Sequence, residues 1–326
     1  MKGSSSFPNG SGQQAPVYCS KVHAVSLRRV VLSCITSAFM SGGVWATEPI
    51  LEPTDSAASS SLPLQRASAL PVRLEYRFEK GERINMEVAH RALTETTIAG
   101  TTQSTDTATD STKTWSVMAV DSQGQATLEH SVDGVTMTSR TSDRGQVRWN
   151  SRDDNPAPPG YESVKQSLGV PLSRLVVDRS GRVIERQNLR PSPPSNTGDL
   201  VVVPLPDEAV VIGAEWTVPQ EVVVEVPNGP RKAVRTRLRY QLVSIRDGVA
   251  TIRVDTTVLT PLDDPRLESR LLERIWDGTV FFDIERGRVL RKTTGIDRRV
   301  VGFSGPESSV RYKSSLEERL VQNPSE

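Results

Sequence analysis

Residues Arg239–Asp255, "RYQLVSIRDGVATIRVD", decide the fold. Tyr240 and Leu242 alternate with Arg239 and Gln241, and beyond Asp247-Gly248 the residues Ile252 and Val254 alternate with Arg253 and Asp255. A period of two is the spacing of a strand with one face buried. Asp-Gly between two such runs signals a hairpin, because glycine takes left-handed backbone without a Cβ penalty. A three-residue turn, Arg246-Asp247-Gly248, sets Leu242 opposite Ile252, Tyr240 opposite Val254 and Arg239 opposite Asp255. Apolar then meets apolar and charge meets counter-charge.

The same phrase stands earlier as "TWSVMAVDSQGQATLEHSV", Thr114–Val132, with a longer turn at Asp121 to Gly124. Its register puts Val117 opposite Leu128 and Trp115 opposite His130. Two further pairs keep the same order: "FEKGERINMEV" with "VVIGAEWTVPQEV", and "LVVDRSGRVIERQ" with "VFFDIERGRVLRKT". The expected organisation is two related β units, 71–190 and 199–322, separated by the Pro-rich break 191–198. The fold class is all-β, mainly antiparallel, as two related curved sheets or half-barrels. Two short helices are candidates, "GYESVKQSLG" and "DPRLESRLLERIW", the second with Asp264 as cap and Pro265 at its first position; strand remains open for the second.

In the closing pair, two residues separate Asp178 from Gly181 and three separate Asp283 from Gly287. A binding site of fixed geometry does not tolerate that change, whereas a turn does. Asp178, Gly181, Asp283 and Gly287 are therefore read as turn landmarks, as are Gly213 and Trp216 at the start of the second unit. "ERINMEVAH" shows the period again, with Ile84, Met86, Val88 and His90 on one face. The Thr-rich run Thr94–Thr114 is read as an exposed hairpin turning near Gly100, with a wet-cavity lining or a sugar-bearing ribbon as alternatives.

Residues 1–46 hold Lys2, Lys21, Arg28 and Arg29 and no acid, so the chain's net charge of +1 becomes about −3 beyond them. This excludes the concentrated basic excess of a nucleic-acid binder. "SLRR", the apolar run "VVLSCITSAFMSGGVWA" and small residues at Val44 and Ala46 read as an export signal, residues 1–46, cleaved after Ala46; an uncleaved anchor is the alternative. Residues 47–70, rich in Ser, Ala and Pro, read as a disordered linker. Both cysteines, Cys19 and Cys34, fall in the leader, so the mature chain carries no disulfide.

Chemistry-bearing residues are sparse. Beyond the leader the only histidines are His90 and His130, both on inward faces; a core imidazole needs only one or two hydrogen bonds, and no cysteine stands by to complete a zinc site. No G-x-S-x-G, H-E-x-x-H or phosphate-binding loop is present. Asp153-Asp154 and Asp263-Asp264 are paired carboxylates of the kind used in glycosidases or calcium sites, but Asp before Pro is also an ordinary turn signal. Arg235, Arg237 and Arg239 on one strand face can meet an anionic polymer or simply face water. No catalytic, cofactor-binding or metal residue is assigned.

"YRFEKGE" (Tyr76–Glu82), the Thr-rich ribbon leading into "TKTWSVMAVDSQGQATLEHSVDGVTM", and "LPDEAVVIGAEWTV" (Leu205–Val218) resemble an exported, uncharacterised bacterial β-rich family, grouped as a domain of unknown function and familiar from planctomycete-type genomes. Its most specific phrase is P-x-x-x-V-x-x-G-x-x-W at Pro206, Val210, Gly213 and Trp216. The resemblance implies a secreted or periplasmic protein of two similar halves, and it brings no catalytic residues. The expected function is a non-enzymatic envelope or periplasmic binding module, whose partner is an envelope protein or an apolar ligand and which uses no cofactor. The alternatives are a carrier of an apolar or lipid-like ligand inside a half-barrel, a hydrolase using Asp153, Asp154 and His90 or His130, and a scaffold module pairing its edge strands.

Overall fold

The computed structural model of the chain describes residues 70–190, 202–225 and 231–321. The export signal, nearly all of the 47–70 linker and the 191–198 break lie outside the described residues. The first half contributes β1 (Arg83–Ile98), β2 (Thr101–Val120), β3 (Ala126–Thr141), β4 (Gly145–Asn150), α1 (Glu162–Gln166), β5 (Ser173–Val177) and β6 (Val183–Asn188). The second contributes β7 (Glu215–Glu225), β8 (Arg231–Arg246), β9 (Val249–Val258), α2 (Pro265–Leu271), β10 (Asp277–Asp283), β11 (Arg288–Val301) and β12 (Ser309–Leu320).

The all-β, antiparallel expectation holds, with a correction: the strands of both halves form one large curved open sheet rather than two sheets. Its order is β6-β5-β3-β2-β1-β12-β11-β10-β9-β8-β7, with β4 also on β3. The chain's last strand makes the join, because β12 pairs with β1 on one side and β11 on the other. Both helix candidates are helical; in α2 the Asp264 carboxylate accepts from the Arg266 N–H at 2.9 Å, with Pro265 at the first position.

The expected register is present at all five pairs: Leu242–Ile252, Tyr240–Val254, Arg239–Asp255, Val117–Leu128 and Trp115–His130. The turn of the second hairpin is corrected. Arg246 pairs with Val249, so the loop has two residues, Asp247 and Gly248, both at positive φ (50° and 76°). A bulge between Leu242 and Ser244 restores the register. The first hairpin has the corresponding bulge between Val117 and Ala119. The Thr-rich hairpin turns where expected, with Ala99 and Gly100 both at positive φ.

One face of the sheet carries the main core, to which Trp115, Leu128 and Leu175 come from the first half and Tyr240, Leu242 and Phe282 from the second. Smaller clusters bring in the helices: Leu267 and Leu271 of α2 pack with Val222, Val224 and Val234, and Tyr161 at the start of α1 and Val164 within it pack with Val135 and Trp149. The other face, called the outer face below, carries Glu87, Ala89 and their polar neighbours.

Candidate functional site

The two closing turns, with Asp178, Gly181, Asp283 and Gly287, are drawn together by one segment, Leu74–Phe78. Asp178 Oδ1 accepts from the Ser180 and Arg182 N–H groups, both at 2.9 Å, and Asp283 Oδ1 accepts from the Arg286 N–H at 2.8 Å. Each turn is then fastened to Leu74–Phe78: the Tyr76 N–H donates to the Arg179 carbonyl at 2.7 Å and the Arg77 N–H to the Gly287 carbonyl at 3.1 Å. Side chains are not tolerated there. A Cβ on Gly181 would lie 2.5 Å from the Tyr76 ring, and one on Gly287 would lie 2.7 Å from the Arg77 N and the Glu75 carbonyl. Tyr76 itself is buried, its hydroxyl donating to the Val203 carbonyl and accepting from the Val203 N–H. Gly213 has φ of 93° and donates to the Leu242 carbonyl, while Trp216 stacks on Tyr240 and donates to the Pro204 carbonyl at 2.8 Å.

The candidate hydrolytic groups keep separate partners. His130 is buried in a stack on Trp115 with ring centroids 4.7 Å apart. His90 stands farther along the core face with Nε2 3.0 Å from Ser314 Oγ; burial, then the Arg91 and Lys113 charges, hold its pKa below the usual value. Asp153 and Asp154 are exposed on the loop after β4, where Asp153 accepts from the Asn150 amide. Among the described residues no three His, Cys, Asp or Glu side chains come together to hold a metal. Of the arginine row, Arg239 pairs with Asp255 at 3.1 Å, and Arg235 and Arg237 are exposed.

On the core face the main apolar cluster is buried, and recesses open on the rest of the sheet. Two adjoining ones, each of about 470 Å³, share Glu87 and Arg319. Register explains the first, which is built mainly on two rows of outer-face residues: Arg319–Glu87–Thr112–Gly134 and Glu317–Ala89–Asp110–Thr136–Asn150. Long side chains at β12 and β4 and small ones at Ala89 and Gly134 leave a groove between them.

Its charges are arranged in pairs: Arg319 with Glu87 at 2.5 Å, Arg291 with Glu317 at 2.9 Å and Arg91 with Asp110 at 2.6 Å. Arg152 makes no ion pair among the described residues. A Cβ on Gly134 would stand 3.2 Å from Arg152 Nε and 3.5 Å from Thr112 Oγ1. Thr112 Oγ1 is buried and has no hydrogen-bond partner among the described residues. Of these residues Asp110 and Thr112 fall in a stretch noted from the sequence, the Thr-rich run Thr94–Thr114, for which a wet-cavity lining was an alternative. Gly134 was the available signal, since a glycine inside a strand often marks a bulge or a close approach.

Neither a protein-family model nor a curated protein matches the chain. Among solved structures it is similar to lipovitellin, from work on lipid–protein interactions in that protein, at 14% identity over 76% of this chain, with a TM-score of 0.44. The chain spans 26% of the lipovitellin chain. It is also similar to DynF of the dynemicin biosynthesis pathway of Micromonospora chersina, at 7% identity over 83% of this chain and 94% of that one, with a TM-score of 0.22. At these scores the likeness assigns neither a family nor a function. No helix among the described residues is long and apolar enough to cross a membrane.

Proposed function

We propose that the protein is an exported, non-enzymatic binding module of the periplasm or cell envelope, built from two related β units, that takes a polar ligand in the groove on β1. The groove carries this reading. Its volume of about 470 Å³ falls in the range of small-molecule pockets, and hydroxyl, amide, carboxylate and guanidinium groups line it. The leader's charge and apolar pattern supports export.

Matching backbone details support the two-unit reading. The Gly81 N–H donates to the Val117 carbonyl while the Val117 N–H donates to Glu82; Gly213, Leu242 and Ala214 repeat the exchange. Bulges follow Val117 and Leu242, and each closing hairpin has one beside its turn, at Val176–Val177 and at Phe281–Phe282. Hydrogen-bond exchange, bulge and turn recur in the same chain order in each half.

The test offers the purified chain a mixture of soluble cell-wall saccharides and short peptides, and reads bound mass by native mass spectrometry. Adducts are expected with the wild type and not with Ala89→Trp, whose indole fills the groove. No adduct, or adducts indifferent to Ala89→Trp, overturns the reading.

A further inference from the structure

Two polar groups flank Gly134 in the groove with hydrogen-bonding capacity that the described residues do not use. The guanidinium of Arg152 lies over Gly134, and the hydroxyl of Thr112 is buried beside it. Gly134 permits this arrangement, because a Cβ there would sit tightly against Arg152 Nε at 3.2 Å and touch Thr112 Oγ1 at 3.5 Å. The neighbouring carboxylates are already engaged. Glu87, Asp110 and Glu317 are held by Arg319, Arg91 and Arg291, and the oxygens of Asp133 accept from the hydroxyls of Thr114 and Ser131. A cationic ligand would have to displace an arginine to reach one of them. An anionic ligand finds a guanidinium with no carboxylate partner.

We propose that the groove receives an oxyanion, a carboxylate or a phosphate borne by a polar ligand, between the Arg152 guanidinium and the Thr112 hydroxyl. This rests on the groove being the binding surface. The guanidinium presents parallel N–H donors in a planar fork that matches two oxygens of such a group, and the hydroxyl donates to one of them. No ion pair among the described residues has to be broken for the ligand to reach Arg152, which separates this place from the three ion pairs around it; the buried Thr112 hydroxyl is reached by a shift of the side chains that cover it. The hydroxyl and amide groups of Thr136 and Asn150 extend the same surface toward the uncharged part of the ligand.

The experiment titrates the purified full chain with three probes, D-galacturonate, inorganic phosphate and D-galactose, by ligand-observed nuclear magnetic resonance. Wild type, Arg152→Gln, Thr112→Val and Ala89→Trp are compared, each checked for an unchanged circular dichroism spectrum. The expected result is binding of galacturonate or phosphate in preference to galactose. Binding weakens tenfold or more in Arg152→Gln and severalfold in Thr112→Val, and it is lost in Ala89→Trp. Galacturonate without phosphate identifies a carboxylate ligand, and the converse identifies a phosphate. If Arg152→Gln binds the anions as wild type does, or if galactose binds equally well, the oxyanion inference falls. In that case sensitivity to Ala89→Trp leaves the groove reading standing. If no probe binds, the inference also falls; binding indifferent to Ala89→Trp removes both.

Discussion

Glu318 lies on the core face between two ammonium groups, Lys113 Nζ at 3.3 Å and Lys292 Nζ, with which it forms a close ion pair. Lys292 and Glu318 are each only 5% exposed. Burial by itself would push the carboxyl up; the charges of Lys292 and Lys113 outweigh it and hold the pKa below its ordinary 4.5. A carboxyl depressed by folding contributes stability that is present above the unfolded value and lost as pH falls through the folded one. His90 acts in the same direction at higher pH, since its folded pKa lies below the ordinary 6.5: an imidazole that folding keeps neutral favours the fold above 6.5 and opposes it as pH falls. Glu318→Gln removes the carboxylate that both ammoniums share, and breaking a buried pair from one side costs about 3–5 kcal/mol. Urea denaturation at neutral pH should show that loss, and the decline of stability below pH 4.5 should be shallower in the variant than in the wild type. Equal stability at pH 7 would show that the cluster contributes nothing to the fold. Lys113 shares the strand parity of Trp115 and Val117, so the sequence held the sign of a buried ammonium, but its partner lies on a strand 205 residues away.

At the scale of elements, the closing turns turned out to be docking points as well as turns. Gly181 combines a φ of 75° with contact distances of 2.5 Å to the Tyr76 ring and 2.6 Å to the Val203 carbonyl for any added Cβ. Gly248 has nearly the same φ, 76°, with open space around it. Gly248→Ala therefore meets backbone strain alone, about 1–2 kcal/mol, whereas Gly181→Ala adds overpacking of about 1–3 kcal/mol. Thermal unfolding should rank Gly181→Ala well below Gly248→Ala; equal midpoints would mean that Leu74–Phe78 moves aside freely. The hairpin registers were legible because charge and apolarity alternate together, so that only one pairing satisfies Arg239–Asp255 and Leu242–Ile252 at once. The bulges were not. A three-residue turn, and one bulged residue ahead of a two-residue turn, put the same side chains opposite each other, and Val243 gives no local sign of which occurs. The groove was illegible for a different reason: Ala89, Gly134 and Arg152 are brought together by a succession of pairings from β1 through β2 and β3 to β4, and Arg319 joins them only through the pairing of β12 with β1, which no periodicity encodes.

At the scale of the whole sheet, β12 decides how the halves cohere. It belongs to the second half in sequence, yet it pairs with β1 along twelve residue pairs, from Met86–Leu320 to Thr97–Ser309. The main apolar cluster also draws on both halves, so a separated half would expose Trp115, Leu128 and Leu175, or Tyr240, Leu242 and Phe282, to water. Burying a side chain of this size is worth about 1.5–3 kcal/mol, and several such losses exceed what a domain can spare. A cut within 191–198 should therefore give two fragments that do not fold alone but associate one to one when mixed, recovering the near-ultraviolet circular dichroism of the intact chain. Ending the second fragment at residue 308 removes β12, leaves the facing edges of β1 and β11 open, and takes Glu318 away from Lys113 and Lys292. Light scattering coupled to size exclusion should then find no one-to-one complex. If each fragment instead folds by itself, or if the pair still assembles without β12, the halves are held by the core alone and the last strand is an accessory to it.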